Sequence, residues 1–250
     1  MITNSDLGKF LKLEMKAHLQ DDYFVFQKRT LARQHGPVVQ QFAAWISKGG
    51  WLHFEPSLYV VGASITDESI HQTVSLGAID PRQWHFPPDT TLDKRLAEHL
   101  CQKLESESPI TFLSSIEDID VEKNLRWFGE AELHWAPSFF LAFFNIVRGA
   151  KDARKDLDYA MRIFQKNSRL SGDKPLRDWE VTLNSRFSTL EGRLADSNCI
   201  ALCRADAEDH AQSLKLPSIV WPTDWPESVS PWLKERSTSW GDKVRGFLRS

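Results

Sequence analysis

The sequence lacks every short motif that would indicate an activity by itself. It has no HExxH or paired Cys/His spacing for zinc, no phosphate-binding GxxxxGK[ST] loop, and no GxGxxG or GxSxG turn. Its three cysteines, Cys101, Cys199 and Cys203, are odd in number and include no CxxC pair, which argues against a disulfide framework and predicts free, buried thiols. We therefore predict no cofactor and no metal. Catalytic residues stay unknown, because a catalytic triad need not be local in sequence.

Long hydrophobic runs are also missing. The longest apolar segment, residues 135–147, is shorter than the ~18 residues that a membrane-crossing helix requires, and it predicts a buried helix. The N-terminus shows no basic region followed by an apolar core, as a secretory signal would. With 41% apolar and 26% charged residues, the composition is that of an ordinary globular protein. These features predict a cytoplasmic location and no membrane partner.

Charge is unevenly distributed along the chain. Residues 55–122 contain thirteen acidic and four basic side chains, whereas the segments on either side are each slightly basic. Such an excess predicts a surface for another protein, with a basic partner as the natural match, because opposite charges steer association. The alternative is that the charges only keep the protein soluble. The densest part supplies four candidate partner-binding residues: Glu117, Asp118, Asp120 and Glu122.

A calcium loop is not indicated at this acidic segment, which we define as residues 117–122. The glycine and the final glutamate that such a loop requires are absent. Acidic residues at this position are also typical of a helix start, where the positive end of the helix dipole favours carboxylates.

Positive charges recur in the second half at spacings that place them on one helix face. We call these residues the basic stripe: Arg148, Lys151, Lys155, Arg162, Lys166 and Arg169. A stripe of this kind can follow a phosphate backbone, which makes a nucleic-acid-binding protein or a nuclease the alternative function. An ordinary solvated face is the competing interpretation, since Asp152, Asp156 and Asp158 lie beside it and Asp158 is spaced to pair with Arg162.

The first half reads as a helix followed by an antiparallel meander. Asn4 or Ser5 is expected to cap the helix, and short β-prone segments follow with connections too small for a parallel crossover. The predicted strands are 23–33, 38–48, 51–55, 57–64 and 71–79, with Pro56 interrupting the pairing and Gly49-Gly50 forming a hairpin turn.

The second half reads as helical. Leucines repeat every four residues in 92–104, Asp118 and Asp120 begin a helix over 118–130, and Pro137 suits the first turn of the next helix. Helix is also predicted through Leu157 and over 176–194, while residues 198–205 fit either a strand or a helix. The fold class is therefore α+β, with residues 1–88 forming a helix and sheet and residues 89–250 a helical region packed on it.

Four of the ten tryptophans lie between residues 220 and 241. Pro222 and Pro226 exclude regular structure there, so residues 221–227 are predicted to form an extended strap, followed by a helix over 231–249 that begins at Pro231. Trp221 and Trp225 either pack against the chain itself, which we favour, or contact a partner. They complete the candidate partner-binding set.

The active site of a hydrolase would require catalytic side chains from distant parts of the sequence to lie close together. The candidates are His53, His71, Glu130, Glu132 and His134, and the last three could also ligate a metal if they lay on a strand. A spacing of two residues, which places such side chains on one face of a strand, is common by chance. We therefore do not predict a metal site there.

The order of helix, meander and helical half resembles small bacterial proteins of unknown function, some of them associated with toxin immunity or defence. This resemblance covers the layout of roughly the first 80 residues and implies no functional residues. We therefore predict a non-enzymatic, partner-binding protein of bacterial immunity or defence-accessory type, and prefer a protein partner to nucleic acid. Whether the chain performs chemistry is not decided by its sequence.

Overall fold

The computed structural model describes residues 2–19, 22–63, 74–75, 84–107, 117–131, 135–168, 175–228 and 232. The first helix, α1 (Asn4–Phe10), continues through a π-helical turn at Leu11–Met15 and a 3-10 turn at Lys16–His18. The strands are β1 (Phe24–Phe26), β2 (Thr30–His35), β3 (Val38–Ile46), β4 (Leu52–Val60), β5 (Val74–Ser75) and β6 (His85–Phe86). The later helices are α2 (Lys94–Glu107), α3 (Asp118–Ala131), α4 (Trp135–Val147), α5 (Ala153–Asn167), α6 (Asp178–Arg193) and α7 (Cys199–Ser213). The predicted α+β class is confirmed.

The strands pair antiparallel in chain order from β1 to β4, and both β5 and β6 pair with the outer edge of β4. One face of the sheet packs on α1, where Phe10 meets Phe54 edge-on with ring centroids 5.9 Å apart. The opposite face packs on α4, where Tyr59 meets Phe140 at the same centroid distance of 5.9 Å. The sheet therefore lies between the first helix and the helical half, and both faces are used for packing.

The expectation that Pro56 divides its strand is wrong. Strand β4 runs without a break, and Pro56 lies opposite Phe42 of β3. Backbone bonds from Val61 to Pro37 and from Ser47 to Trp51 show that the odd-numbered residues of β4 bond to β3. The nitrogen of Pro56 therefore faces away from β3, and the missing N–H costs no hydrogen bond between β4 and β3.

The predicted strand at residues 23–33 is in fact a hairpin. Gln27 and Lys28 adopt positive φ values of 49° and 61°, and this turn separates β1 from β2. No glycine or proline marks the turn, so the aromatic and β-branched run concealed it. Gly8 of α1 lies against this turn, since a Cβ at that position would stand 2.7 Å from the carbonyl oxygen of Lys28. The glycine allows close approach of helix and turn.

Helix boundaries follow the sequence patterns closely, with one capping difference. Thr3, rather than Asn4 or Ser5, caps α1 in a reciprocal capping box with Asp6. The helices predicted at 92–104, 118–130, from Pro137 and at 176–194 are confirmed as α2, α3, α4 and α6. The ambiguous segment at 198–205 belongs to α7.

A single cluster of buried apolar side chains includes members from both halves of the chain, from Leu7 to Trp232. The division at residue 88 stays a prediction. Apart from residues 74–75 and Trp232, the predicted strand at 71–79 and the predicted helix at 231–249 lie outside the described residues. Among the helices that the structure describes, none has the length and apolar character needed to span a bilayer.

Candidate functional site

Asp118 of the acidic segment forms a junction between distant parts of the chain. Its Oδ1 lies 2.9 Å from Nε2 of His35, and its Oδ2 accepts a hydrogen bond of 2.7 Å from Nε1 of Trp225. Burial disfavours the charged carboxylate, but the bonds from His35 and Trp225 outweigh this effect and hold the pKa of Asp118 below its ordinary value. The Asp118 junction thus ties the end of β2, the start of α3 and the strap together.

Glu122 belongs to a closed polar ring that connects α3, α4 and α5. Arg126 donates to Glu122 at 3.0 Å and to Asp156 at 3.1 Å. The other oxygen of Asp156 accepts from Asn145 at 2.6 Å, and Asn145 accepts from Arg148 at 2.8 Å. Arg148 closes the ring by donating to Glu122. Every member has a partner on each side, as buried polar groups require.

Asp156 is the most buried charged group of the ring. Burial raises the pKa of its carboxyl above the ordinary value, although the bonds from Asn145 and Arg126 act in the opposite direction. A buried carboxylate of this kind is stable only while its donors remain in place.

Two of the four acidic candidates are therefore engaged within the chain, namely Asp118 and Glu122. Glu117 is exposed, and the side chain of Asp120 lies outside the described residues. The assignment of this segment to a protein partner stays a prediction.

The strap packs against the helical half. Trp225 is 6% exposed and meets Phe144 of α4 edge-on at a centroid distance of 5.6 Å. Trp221 is partly buried, donates to Glu208 at 2.6 Å, and carries the guanidinium of Arg204 at 4.9 Å from its ring centroid. Both side chains thus make the intramolecular contacts that we favoured from the sequence.

Gly149 and Trp232 mark two further contacts between the C-terminal side of the strap and the turn after α4. Gly149 has a φ of +69°, and a Cβ there would overlap the ring of Pro226. Trp232 is buried and donates to the carbonyl oxygen of Ala150 at 3.2 Å. A role of Trp221 and Trp225 in binding a partner stays a prediction.

The residues of the basic stripe lie in different environments. Arg148 is held in the polar ring, and Arg169 lies outside the described residues. The other four residues form what we call the outer stripe: Lys151, Lys155, Arg162 and Lys166. All four are exposed, and the span from Lys155 to Lys166 along α5 is about 16 Å at 1.5 Å per residue.

The carboxylates beside the outer stripe are directed away from Arg162. The expected pair between Asp158 and Arg162 is wrong, because Asp158 lies 3.4 Å from Arg154, which also contacts Glu191 of α6 at 3.4 Å. Lys155 pairs with Asp152 at 2.9 Å. Within the described ranges, no carboxylate lies at ion-pair distance from Arg162, whose guanidinium lies over Tyr159 instead.

Two cavities adjoin the outer stripe, and both are lined by Lys155 and Arg162. One, of about 380 Å³, lies toward α6 and includes Asp158, Met161, Gln165 and Glu191. The other, of about 210 Å³, lies toward α3 and α4 and includes Arg126, Ser138, Asp156 and Tyr159. Lys155 and Arg162 therefore form a cationic ridge with a depression on either side.

Several residues of the polar ring, and the ion pairs of Arg154, were not identified from the sequence. Arg126 and Glu122 are four residues apart and could have been paired from their spacing, but Asn145 and Asp156 carry no signal that links them. Arg154 was missed because Asp158 has a basic residue four positions away on each side. Arg154 also contacts Glu191, which lies 37 residues further along the chain. This contact favours the pair of Asp158 with Arg154 over the pair with Arg162.

Of the hydrolase candidates, only the side chain of His53 lies within the described residues, and the hydrolase alternative stays a prediction. His53 stacks on Trp45 at a centroid distance of 5.2 Å and lies 4.0 Å from His85, measured between ring centroids. Burial, and then the neighbouring His85, lower the pKa of His53. The other candidates, His71, Glu130, Glu132 and His134, fall outside the described side chains.

No protein-family model, no curated protein and no solved structure matches this chain, so the resemblance to bacterial immunity and defence proteins stays a prediction.

Proposed function

We propose that the protein binds a nucleic-acid strand through its phosphate backbone, along the outer stripe on α5. The observation that carries this proposal is the ridge of Lys155 and Arg162 between two cavities, with Asp158 turned toward Arg154. Positive charge on an exposed ridge attracts phosphates from either side.

The dimensions suit an extended ligand. The part of the stripe from Lys155 to Lys166, about 16 Å long, spans about five phosphates of one strand at 3.4 Å of axial rise each. Tyr159, which lines the smaller cavity beneath Arg162, adds an aromatic surface next to the cations. Aromatic and cationic groups in alternation are typical of sites that bind single strands, where bases can stack.

The test measures binding of a short labelled oligonucleotide, single- and double-stranded, at a series of salt concentrations. We expect the logarithm of the binding constant to fall linearly with the logarithm of salt concentration, because bound cations displace counterions. The double variant Lys155→Ala/Arg162→Ala should reduce the slope by about 1.4 to 1.8, since each lost phosphate contact removes about 0.7 to 0.9.

The matched control is Lys9→Ala/Lys12→Ala, which removes two exposed charges from the N-terminal helix and its continuation. It should leave the salt slope close to that of the native protein. Absence of binding at low salt, or an equal slope for both double variants, would contradict the proposal.

A further inference from the structure

Two cysteines lie one helical turn apart on α7, and neither lines the cavities beside the outer stripe. Cys199 and Cys203 are both fully buried, with 0% of each residue exposed. Residues four apart on a helix lie on the same face, with Cβ atoms about 5–6 Å from each other. The two sulphur atoms are therefore neighbours within a shielded space.

A cation stands beside this pair. Nη1 of Arg193 lies 3.9 Å from the sulphur of Cys203, and the same guanidinium bonds to Asp206 at 2.5 Å. A hydrogen bond from Cys199 lowers the pKa of Cys203 despite its burial, and Arg193 acts in the same direction. The same hydrogen bond raises the pKa of Cys199, so the observation that supports an anionic ligand here is the position of the Arg193 cation beside the sulphur of Cys203.

The pair also has a neighbouring opening. A cavity of about 170 Å³ is lined by Arg193 and Asp206 together with Gly62, Phe139 and Phe143. Arg193 both lines this cavity and contacts the sulphur of Cys203, so it connects the cavity with the cysteine pair.

We propose that Cys199 and Cys203 together bind a soft, two-coordinate metal ion of the Cu(I) class. Residues four apart on a helix have Cβ atoms about 5–6 Å from each other, which is close enough for both sulphur atoms to bind one ion. Thiolates select Cu(I), whereas a structural zinc site requires four ligands. In the part of the chain that the structure describes, no group of three or more histidine, cysteine or acidic side chains could hold a metal.

Binding releases two protons, one from each thiol, and leaves a complex with a net charge of about −1 on the two sulphurs and the Cu(I). Arg193 offsets part of this charge. Metal affinity should therefore increase with pH. The site is independent of the outer stripe, and its failure would leave the nucleic-acid proposal unaffected.

The experiment titrates the reduced full-length protein with Cu(I) under anaerobic conditions, in competition with a coloured Cu(I) chelator. Native protein should bind one equivalent and release up to two protons, detected as a dependence of the binding heat on the buffer. Cys199→Ala and Cys203→Ala should each lose this binding by at least about a hundredfold, because one thiolate cannot chelate.

Cys101 provides the matched control, as it is a buried free cysteine on α2 without a neighbouring thiol. Cys101→Ala should bind Cu(I) like the native protein. Circular dichroism and thermal unfolding establish that each variant is folded, and Arg193→Gln, which keeps both thiols, should bind about tenfold more weakly. Equal Cu(I) binding by the Cys101 and Cys203 variants, or no binding by the native protein, would overturn the proposal.

Discussion

The acidic segment at residues 117–122 and the outer stripe on α5 each contribute four charged side chains, yet their environments differ. Asp118 and Glu122 are held by partners from other elements, in the Asp118 junction and the polar ring. On α5 the nearby carboxylates are drawn to Arg154 and Arg126, so that Arg162 remains open beside two cavities. Charge density in the sequence therefore does not indicate which charges are available to a ligand. The arrangement of the neighbouring helices determines it.

The largest expected effect is on the polar ring. Asp156→Ala should lower the free energy of unfolding by about 3 kcal/mol, because it leaves the buried amide of Asn145 without its acceptor and removes one partner of Arg126. Urea-induced unfolding measures this loss. The control Asp158→Ala removes an acid that is half-exposed, and should cost less than about 1 kcal/mol. Similar costs for both variants would show that the ring contributes no more than surface pairs.

The next effect concerns the strap. Trp225→Phe should cost about 2 kcal/mol, since it removes the bond to Asp118 and part of the packing against Phe144. Trp221→Phe is the control, because its indole donates to an exposed carboxylate, and it should cost less than about 1 kcal/mol. If both variants unfold at the native urea concentration, the strap is not fixed by Trp225 and a partner becomes the better explanation.

Asp118 should also show a defined pH dependence. Hydrogen bonds from His35 and Trp225 lower the pKa of Asp118 against the effect of burial. A carboxyl whose pKa is lowered by folding stabilises the folded state above its unfolded pKa, near 4, and this contribution is lost as the pH falls through the folded value. Asp118→Asn should therefore be less stable than the native protein near neutral pH, with the difference shrinking below about pH 4.

Unfolding curves at a series of pH values measure this difference. Asp209→Asn, at an exposed carboxylate of α7, serves as the control and should follow the native curve. A constant difference between the Asp118 variant and the native protein across this pH range would show that the charge does not contribute.

The smallest expected effect is on oligonucleotide binding, and it tests whether the ion pairs of Arg154 keep nearby carboxylates away from Arg162. Arg154→Ala leaves every stripe cation in place but leaves Asp158 and Glu191 without their partner beside Arg162. Oligonucleotide binding should weaken by about fivefold, equivalent to about 1 kcal/mol. Adding Asp158→Asn should restore most of the affinity. Unchanged binding by Arg154→Ala would mean that the ion pairs around Arg154 do not influence the stripe.

Local patterns predicted the elements well where one residue type dominated. Leu96, Leu100 and Leu104 are all buried on α2, as their spacing of four predicted. Pro137 lies in the first turn of α4, where its missing N–H has no helical partner to lose. Pro56 was misjudged, since its effect depends on which edge of β4 its nitrogen faces, and this is set by the register with β3.

The contacts of the candidate site were less accessible to sequence reasoning. Trp225 and Asp118 are 107 residues apart, and His35 and Asp118 are 83 apart. Asp158 could pair with a basic residue on either side, and orientation along the helix favoured Arg162. In the structure Asp158 pairs with Arg154 instead, and Arg154 also contacts Glu191 on α6.

By itself, the sequence determined the α+β class, most helix boundaries and the position of the proline-containing strap, because these depend on periodicity and on backbone restrictions within a few residues. Only the tertiary structure decided which charges are satisfied. Salt bridges and hydrogen bonds form between whichever groups the packing of α3, α4, α5 and α6 brings within about 3 Å, and side chains distant in sequence compete for the same partner.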